Sequence, residues 1–192
     1  MVVNPKDQGI TPDVLEACRR GDRNAFRLVY ETYKDTVYSM ALYFFRGDAA
    51  TAADVTQQVF LRLMNKIGQF KGQSEFSTWL HRMVNNACVD RTRGAWQRAK
   101  MADPAELETR AVEPRHDVDL ERHERARVIQ AALAGLTPKI RMAIVLRYFE
   151  DLSYGEMASV LNCSIGTVAS RLSKGHAILG QRLAALEGKG VR

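Results

Sequence analysis

The fold is decided by residues 153–172, which read SYGEMASVLNCSIGTVASRL in one-letter code. Ser153 and Glu156 have the spacing of a capping box, in which two side chains satisfy free backbone donors at a helix start. Asn162 follows where the chain must turn, and asparagine tolerates the left-handed backbone conformation that ends many helices. Ser164 can then cap a second helix. The stretch therefore predicts two short helices joined by a tight turn.

The apolar and polar residues of this stretch predict how the two helices pack. The residues expected to face inward are Met157, Val160, Leu161, Ile165, Val168 and Leu172. The polar residues left outside the second helix are Thr167, Ser170, Arg171 and Lys174. This arrangement is typical of a helix-turn-helix, whose second helix enters the major groove of DNA. An ordinary helical hairpin with a solvated polar face has the same pattern, so the rest of the chain must decide.

The composition indicates a soluble protein with a basic excess. The chain has 192 residues, with 28 lysines and arginines against 22 aspartates and glutamates, and a formal net charge of +6. This length suits one or two domains, and the basic excess suits a polyanionic partner. No apolar run approaches a membrane span, and the N-terminus lacks a basic-then-apolar signal sequence. We therefore expect a cytoplasmic protein without membrane insertion.

Neither the cysteines nor the histidines form a recognised metal or catalytic motif. Cys18, Cys88 and Cys163 are odd in number and far apart, so we expect buried free thiols rather than disulfides or a zinc site. The four histidines form no H-x-x-x-H or H-E-x-x-H pattern, and the chain has no phosphate-binding glycine loop and no G-x-S-x-G motif. The sequence therefore predicts no enzyme, no cofactor and no metal.

Hydrophobic periodicity predicts helices along the chain and strands nowhere. Residues 10–97 are expected to form one helical domain of four helices, the last beginning near Phe76. Periodicity is then lost over residues 98–121, whose prolines and acidic side chains predict a flexible acidic linker. Residues 122–188 are expected to form a second helical domain that contains the helix-turn-helix. The predicted fold class is all-α, with two small helical domains joined by a flexible linker.

The second domain carries two further structural predictions. Thr137 and Pro138 begin a helix, as a cap followed by proline at the first helical position. The residues that this helix is expected to bury are Ile140, Ile144, Val145 and Tyr148. Gly175 and Gly180 lie inside the last helix, where each lowers helix propensity by about 1 kcal/mol relative to alanine. We therefore expect fraying or a bend there.

The fourth helix has a polar face opposite its apolar stripe. Its members are Arg82, Asn85, Asn86, Arg91 and Arg93. Cationic side chains neutralise phosphates, and amides and aromatic rings hold bases that leave the stack. A solvated charged face is the alternative interpretation of the same residues.

Two small helical domains, each with a DNA-compatible helix, suggest a protein that reads two spaced DNA elements. The sequence resembles the bacterial RNA polymerase sigma factors, specifically the compact extracytoplasmic-function (ECF) type of the sigma-70 family. The segments that carry the resemblance are GDRNAF at 21–26, ADVTQQVF at 53–60, FKG at 70–72, FSTWLHR at 76–82, LTP at 136–138, LSYGEMA at 152–158 and GTVASRL at 166–172. Their order and spacing together are specific to this family.

The resemblance implies a sigma factor that directs core RNA polymerase to specific promoters, nucleates DNA melting and is held inactive by an anti-sigma factor. The residues implied for core polymerase binding are Asp54, Gln57, Gln58 and Phe60. Those implied for binding −10 DNA are Lys71, Ser74, Trp79, Arg82, Asn86, Arg91 and Arg93. Those implied for binding −35 DNA are Thr167, Ser170, Arg171 and Lys174. Asn86 falls where the family helps to hold a flipped-out base, whereas Trp79 lies on the apolar stripe and is expected to support the pocket.

Several positions depart from the family pattern. Gln58 stands where members often carry glutamate, which changes the charge of the implied polymerase contact. Ala169 replaces a common lysine or arginine, and Ser173 replaces a bulky aromatic residue found in some relatives. Gly175 and His176 stand where relatives commonly have more basic residues. The −35 preference of this chain therefore cannot be copied from any relative.

Two other classes of protein fit parts of the sequence. A classical helix-turn-helix regulator, with an N-terminal domain that senses or dimerises, predicts tight operator binding by the protein alone and a symmetric footprint. A helical adaptor that binds only protein predicts no salt-dependent DNA affinity.

Overall fold

The regular structure of the chain is helical. A computed structural model describes residues 9–101 and 128–187, and these two ranges contain eight α-helices, one short 3-10 helix and no strand. The predicted all-α fold class is therefore confirmed. Within the same ranges no helix is both long and apolar enough to cross a lipid bilayer.

Four helices form the N-terminal bundle, residues 9–101. They are α1 (Pro12–Arg19), α2 (Arg23–Phe44), α3 (Ala49–Lys66) and α4 (Phe76–Met101), with a 3-10 turn at Ile67–Gln69 after α3. Side-chain oxygens cap the first three helices, because Thr11, Asp22 and Asp48 each accept hydrogen bonds from the first backbone N–H groups. The buried residues at the centre of the bundle include Tyr33, Val37, Met40, Phe44, Val55, Val59, Leu63, Leu80, Val84 and Cys88.

Four further helices form the C-terminal bundle, residues 128–187. They are α5 (128–134), α6 (Pro138–Tyr148), α7 (Tyr154–Leu161) and α8 (Ile165–Glu187). Every residue of α6 from Arg141 to Leu146 is buried, because α6 lies between α2 of the N-terminal bundle and the pair α7 and α8. A single hydrophobic core therefore runs through both bundles.

The helix-turn-helix has the geometry that its sequence predicts. The Ser153 hydroxyl accepts from the Glu156 backbone N–H at 3.3 Å, and the Glu156 carboxylate accepts from the Ser153 backbone N–H at 2.8 Å. Asn162 ends α7 in the left-handed conformation, with φ 48° and ψ 55°. Ser164 accepts from the Thr167 backbone N–H at 3.1 Å and so caps α8. These local predictions are confirmed.

Two side chains that were expected to be buried are exposed. Ile165 is 56% exposed because it is the first residue of α8, and helical side chains lean toward the N-terminus, beyond the contact that Val168 and Leu172 make. Tyr148 is 60% exposed at the last residue of α6, where its hydroxyl lies 2.7 Å from Nε2 of His176. Thr137 precedes α6 with an extended backbone, but its side chain does not cap that helix.

The last helix is continuous across both of its glycines. The helix does not fray at Gly175 or Gly180, since α8 extends without interruption to Glu187, and the alternative of a bend stays a prediction. A Cβ atom at Gly175 would lie 2.9 Å from Cδ1 of Ile144, so glycine permits the close crossing of α6 and α8. Most of the predicted linker, residues 102–121, lies outside the described residues, as do 122–127 and 188 of the predicted second domain.

Candidate functional site

The polar face of α8 opens onto a groove in the C-terminal bundle. The predicted −35 residues Thr167, Ser170, Arg171 and Lys174 all line this groove, which has a volume of about 500 Å³. Ser170 and Lys174 are exposed, whereas Thr167 and Arg171 are half-buried. Val168 and Leu172 are buried on the opposite side of α8 and hold it against the bundle. The structure therefore brings the four predicted residues together on one fixed surface.

The same groove contains residues that the sequence analysis missed. Thr137 and Lys139, at the start of α6, form its second wall. The N-terminus of a helix attracts anions, because its first backbone N–H groups are unpaired and the helix dipole is positive there. The Thr137 side chain leaves those donors free. Thr137 and Pro138 mark the start of α6 in the sequence, and this helix start could have predicted the second wall of the groove.

The polar face of α4 lies beside the C-terminal bundle. Arg82, Asn86 and Arg93 are exposed at helical spacing, so they share one face. Arg82 donates from Nε to the backbone oxygen of Ser159 at 2.7 Å and from Nη2 to the Ser159 hydroxyl at 2.7 Å. Arg91 is half-buried and turns aside, because its guanidinium pairs with Asp54 of α3 at 3.2 Å. The polar side chains among the predicted −10 residues of α4 thus separate into an exposed row and one ion-paired arginine.

The loop before α4 forms one wall of a second cavity. This cavity of about 270 Å³ contains the predicted residues Lys71 and Ser74, and its lining is Ile10, Pro12, Leu15, Arg19, Phe70, Lys71, Gly72, Ser74, Glu75 and Phe76. Trp79 is half-buried beneath the loop, with its ring centroid 5.2 Å from Phe70 and 6.0 Å from Phe76. It therefore packs behind two residues of the cavity wall, and its role stays a prediction.

An arginine of α1 holds this loop, and the sequence analysis did not find it. Arg19 donates from Nη2 to the backbone oxygen of Phe70 at 2.6 Å and from Nη1 to the Glu16 carboxylate at 2.6 Å. Arg19 and Phe70 are 51 positions apart, so no local pattern in the sequence reports their contact. The loop is positioned by a side chain from a helix outside the motif that contains it.

Two of the predicted polymerase-binding residues on α3, Gln57 and Phe60, line an apolar groove, whereas Asp54 and Gln58 do not. Gln57 and Gln58 are exposed and Asp54 is also exposed, whereas Phe60 is 9% exposed and packs edge-on against Tyr30 at 4.8 Å. The groove has a volume of about 410 Å³, and the exposed residues Leu61 and Met64 add apolar surface to it. The sequence analysis missed these two, although Gln57, Leu61 and Met64 have the i, i+4, i+7 spacing of one helix face.

Among the described residues, potential metal ligands do not cluster, and two of the three cysteines are buried. No group of three or more His, Cys, Asp or Glu side chains in these ranges could hold a metal ion. Burial raises the pKa of the Cys88 thiol to about 12, and burial followed by the Asp22 charge raises the pKa of Cys18. Cys18 and Cys88 are buried as predicted, whereas Cys163 is only half-buried. The two buried thiols are therefore unreactive at neutral pH.

Both halves of the chain match parts of one protein family. Residues 29–98 match the model of sigma-70 region 2, and residues 126–177 match that of sigma-70 region 4. The chain is 30% identical to the RNA polymerase sigma-H factor of Pseudomonas aeruginosa, over 97% of this chain and 98% of that protein. It is also 30% identical to the ECF RNA polymerase sigma factor SigW of Bacillus subtilis, over 88% of this chain and 94% of SigW.

Solved structures share the fold. The sigma factor RpoE of Bartonella quintana, in complex with the anti-sigma factor NepR, has a TM-score of 0.70 at 23% identity, over 83% of this chain and 96% of RpoE. CnrH, in complex with the cytosolic domain of CnrY, has a TM-score of 0.66 at 23% identity, over 90% of this chain and 96% of CnrH. The predicted resemblance is confirmed, and the chain belongs to the sigma-70 family as a factor of the ECF type.

Proposed function

We propose that this chain directs core RNA polymerase to specific promoters and nucleates the melting of promoter DNA. The observation that carries the proposal is that the two candidate DNA-binding surfaces lie in the two segments that match the family models. The polar face of α4 lies in the part that matches region 2, and the groove of α8 lies in the part that matches region 4. As a member of this family the protein is a DNA-binding initiation factor and not an enzyme.

The groove of α8 is the proposed surface for duplex DNA of the −35 element. Arg171 and Ser170 are placed to reach base edges, because they lie on the open face of a capped recognition helix. Lys174 and Lys139 add positive charge on the two sides of the groove, where phosphates would lie. Base contacts set the sequence preference, and phosphate contacts set the register.

The polar face of α4 and the neighbouring cavity are the proposed surface for single-stranded −10 DNA. Arg82 and Arg93 supply charge for phosphates, and Asn86 supplies an amide that can pair with a base edge. The cavity beside Lys71 and Ser74 is enclosed enough to take a base that has left the stack. Capture of such a base stabilises the melted state, since unstacking costs a few kcal/mol.

The groove between α2 and α3 is the proposed docking surface for core polymerase. Tyr30, Leu61 and Met64 expose apolar area, and Gln57 borders it together with the charged side chains of Lys34 and Asp35. Protein interfaces combine an apolar centre with a polar rim, and this groove has both. The proposed partners place the action of the chain in the cytoplasm.

An anti-sigma factor is the proposed regulator. RpoE and CnrH, which share the fold, are both described in complexes, RpoE with the anti-sigma factor NepR and CnrH with the cytosolic domain of CnrY. We propose that the present chain is likewise bound by an anti-sigma factor.

Run-off transcription tests the proposed function directly. Purified core polymerase is incubated with fragments of the source genome, with and without this protein, and the 5′ ends of the transcripts are mapped. The proposal expects transcripts from specific promoters only when the protein is present. Failure to obtain any such transcript would refute it, and tight symmetric binding to an operator by the protein alone would favour the helix-turn-helix regulator instead.

A pair of neighbouring asparagines tests the assignment of the −10 surface. Asn86→Ala is expected to impair open-complex formation, measured by permanganate reactivity of unpaired thymines, while binding to core polymerase stays unchanged. Asn85→Ala is the matched control, because Asn85 is half-buried beside the exposed row. Loss of core binding in Asn86→Ala would show that this face has been misassigned.

A further inference from the structure

The start of α8 exposes a large apolar side chain beside its polar groove. Ile165 is the first residue of α8 and is 56% exposed. Its neighbours Ser164 and Gly166 both line the groove, so Ile165 lies at the edge of that surface. Apolar surface that stays in water costs free energy, so a ligand that covers Ile165 gains affinity. Ile165 is therefore a candidate contact of a different chemical kind from the polar residues of the groove.

The exposed surface of α8 has two sides that differ in chemistry. Ala169 is exposed and lies four positions after Ile165, so the two residues share one side of the helix. Thr167, Arg171 and Lys174 share the other side and line the groove. The helix therefore carries an apolar side, made of Ile165 and Ala169, next to a polar and cationic one.

Ala169 leaves Ile165 uncovered. Side chains on a helix lean toward its N-terminus, so the side chain at position 169 lies over position 165. An alanine side chain ends at Cβ, whereas the long stem of a lysine or arginine at this position would cover apolar surface beneath it. The alanine thus keeps the isoleucine open to whatever binds the groove.

The surroundings of the apolar side favour duplex DNA as its partner. None of the residues that line the groove is acidic, and Lys139, Arg171 and Lys174 make it attractive to a polyanion. One isoleucine and one alanine are too small a patch for a protein interface, which buries roughly 800 Å² on each partner. The first residues of a recognition helix lie against base edges in the major groove. The apolar group that bases present there is the C5-methyl of thymine.

We propose that Ile165, left uncovered by Ala169, packs against a thymine methyl group and makes this chain select an A·T pair within its −35 site. The proposal rests on the proposed function, which assigns α8 to duplex DNA of the −35 element. Cytosine and uracil both lack the C5-methyl, so a contact of this kind distinguishes thymine from each of them. Ile165 therefore adds a sequence preference that the hydrogen-bonding residues of the groove do not supply.

Replacement of thymine by deoxyuridine tests the contact, because it removes one methyl group and leaves every hydrogen-bonding group of the base in place. Random duplexes are first selected with holoenzyme, formed from the full chain and core polymerase, so that no promoter sequence is assumed. Each thymine in the upstream element of the recovered sequence is then replaced in turn, and fluorescence anisotropy measures the affinity of holoenzyme. At one thymine we expect affinity to fall about fourfold, the effect of one methyl group withdrawn from an apolar contact.

Two variants and a matched control assign the methyl contact to Ile165. Ile165→Ala is expected to bind the thymine and uracil duplexes equally, and alanine favours a helix at this exposed position. Ala169→Lys is expected to bind every duplex more tightly through its added charge, yet to lose the difference between thymine and uracil because it covers Ile165. Leu183→Ala is the control, since Leu183 is 39% exposed on the same helix and does not line the groove. It is expected to keep the fourfold difference.

The outcomes separate failure of this contact from failure of the proposed function. A recovered upstream element in which no thymine is sensitive to loss of its methyl group would overturn the contact and leave the proposed function standing. A difference that persists in both Ile165→Ala and Ala169→Lys would overturn its assignment to Ile165. A selection that recovers no common sequence would overturn the proposed function, and the methyl contact with it.

Discussion

The two proposed DNA-reading surfaces differ in what occupies them in the free chain. The α8 groove is lined only by the C-terminal bundle, and Ser170 and Lys174 are exposed there. On α4, Arg82 is already bound to Ser159. One proposed surface is therefore open in the free chain, whereas a side chain of the other is already hydrogen-bonded within the chain. The difference teaches that two surfaces of similar composition can differ in how accessible the fold leaves them.

The surfaces also differ in how each is supported. Helix α8 is positioned by neighbours in sequence, since Ser164 caps it and Asn162 sets the turn before it. The loop beside α4 is positioned from a distance, by the hydrogen bond between Arg19 and Phe70. Local support resists change elsewhere in the protein, whereas support from a distance can be removed by one substitution in another helix.

Arg141→Ala is expected to have the largest effect, because it damages the support that both surfaces share. The buried guanidinium of Arg141 donates to the backbone oxygens of Leu133, Leu136 and Phe44. Burial, and then the charge of Arg46, lower the pKa of Arg141 to about 10, so it remains charged at neutral pH. Leaving buried acceptors unpaired costs about 1–3 kcal/mol each, and we expect at least about 3 kcal/mol of lost unfolding free energy in urea. Arg182→Ala is the control, since exposed Arg182 makes one 3.3 Å bond to Ala131; equal losses in the two variants would contradict the prediction.

Arg171→Ala is expected to weaken DNA binding only at the α8 groove. A side chain that contacts bases contributes about 1–3 kcal/mol to recognition, and we expect a loss of this size for duplex −35 DNA in holoenzyme. Lys174→Ala is expected instead to weaken binding to all duplexes and to lower the salt dependence, as loss of a phosphate contact does. Competition between promoter and random duplexes distinguishes the two. Unchanged promoter selectivity in Arg171→Ala would remove this residue from the proposed site.

Arg19→Ala is expected to impair only the proposed −10 surface, because Arg19 holds the loop beside α4. Loss of a hydrogen bond from a charged donor costs about 1.5–3 kcal/mol, part of which would appear as poorer positioning of the loop. We expect open-complex formation to fall about tenfold while duplex binding is retained. Arg20→Ala is the matched control, because Arg20 is exposed and lies 4.0 Å from Glu16 without contacting the loop. A similar defect in both variants would mean that general charge, not the loop contact, matters.

Two glycines of α8 are expected to respond to the same substitution with opposite signs, and by the smallest amounts. Gly175→Ala would place Cβ 2.9 Å from Ile144 and 3.1 Å from Ile140, so overpacking is expected to cost about 1–3 kcal/mol before the gain in helix propensity. Gly180→Ala meets nothing within 4 Å and is expected to stabilise the helix by about 1 kcal/mol. Thermal unfolding of the two variants measures the difference. Stabilisation by both would show that α6 and α8 do not cross as closely as described.

Sequence reasoning succeeded where the determining interactions are local. The capping box of Ser153 and Glu156, the left-handed Asn162 and the buried stripe of α3 all depend on residues within a few positions of each other. It failed at Tyr148, because α6 is buried on nearly all sides and so has no amphipathic pattern that marks its exposed end.

The contacts that define the site at long range could not be predicted in this way. Arg19 and Phe70, Arg82 and Ser159, and Arg141 and Phe44 are separated by 51, 77 and 97 positions respectively. Each depends on how the helices are placed in space, which no periodicity in one segment reports. The family resemblance supplied the −10 and −35 residues, but it could not show that one of them is occupied by the chain itself.

The unbroken course of α8 has a mechanical consequence. A helix of 23 residues at 1.5 Å per residue is roughly 35 Å long, so the end that faces DNA and the end near Arg182 belong to one rigid rod. The close crossing at Gly175 holds this rod against α6 between its two ends. A force on its distal end would be opposed by the packing of Gly175 against Ile140 and Ile144 before it reached the groove residues.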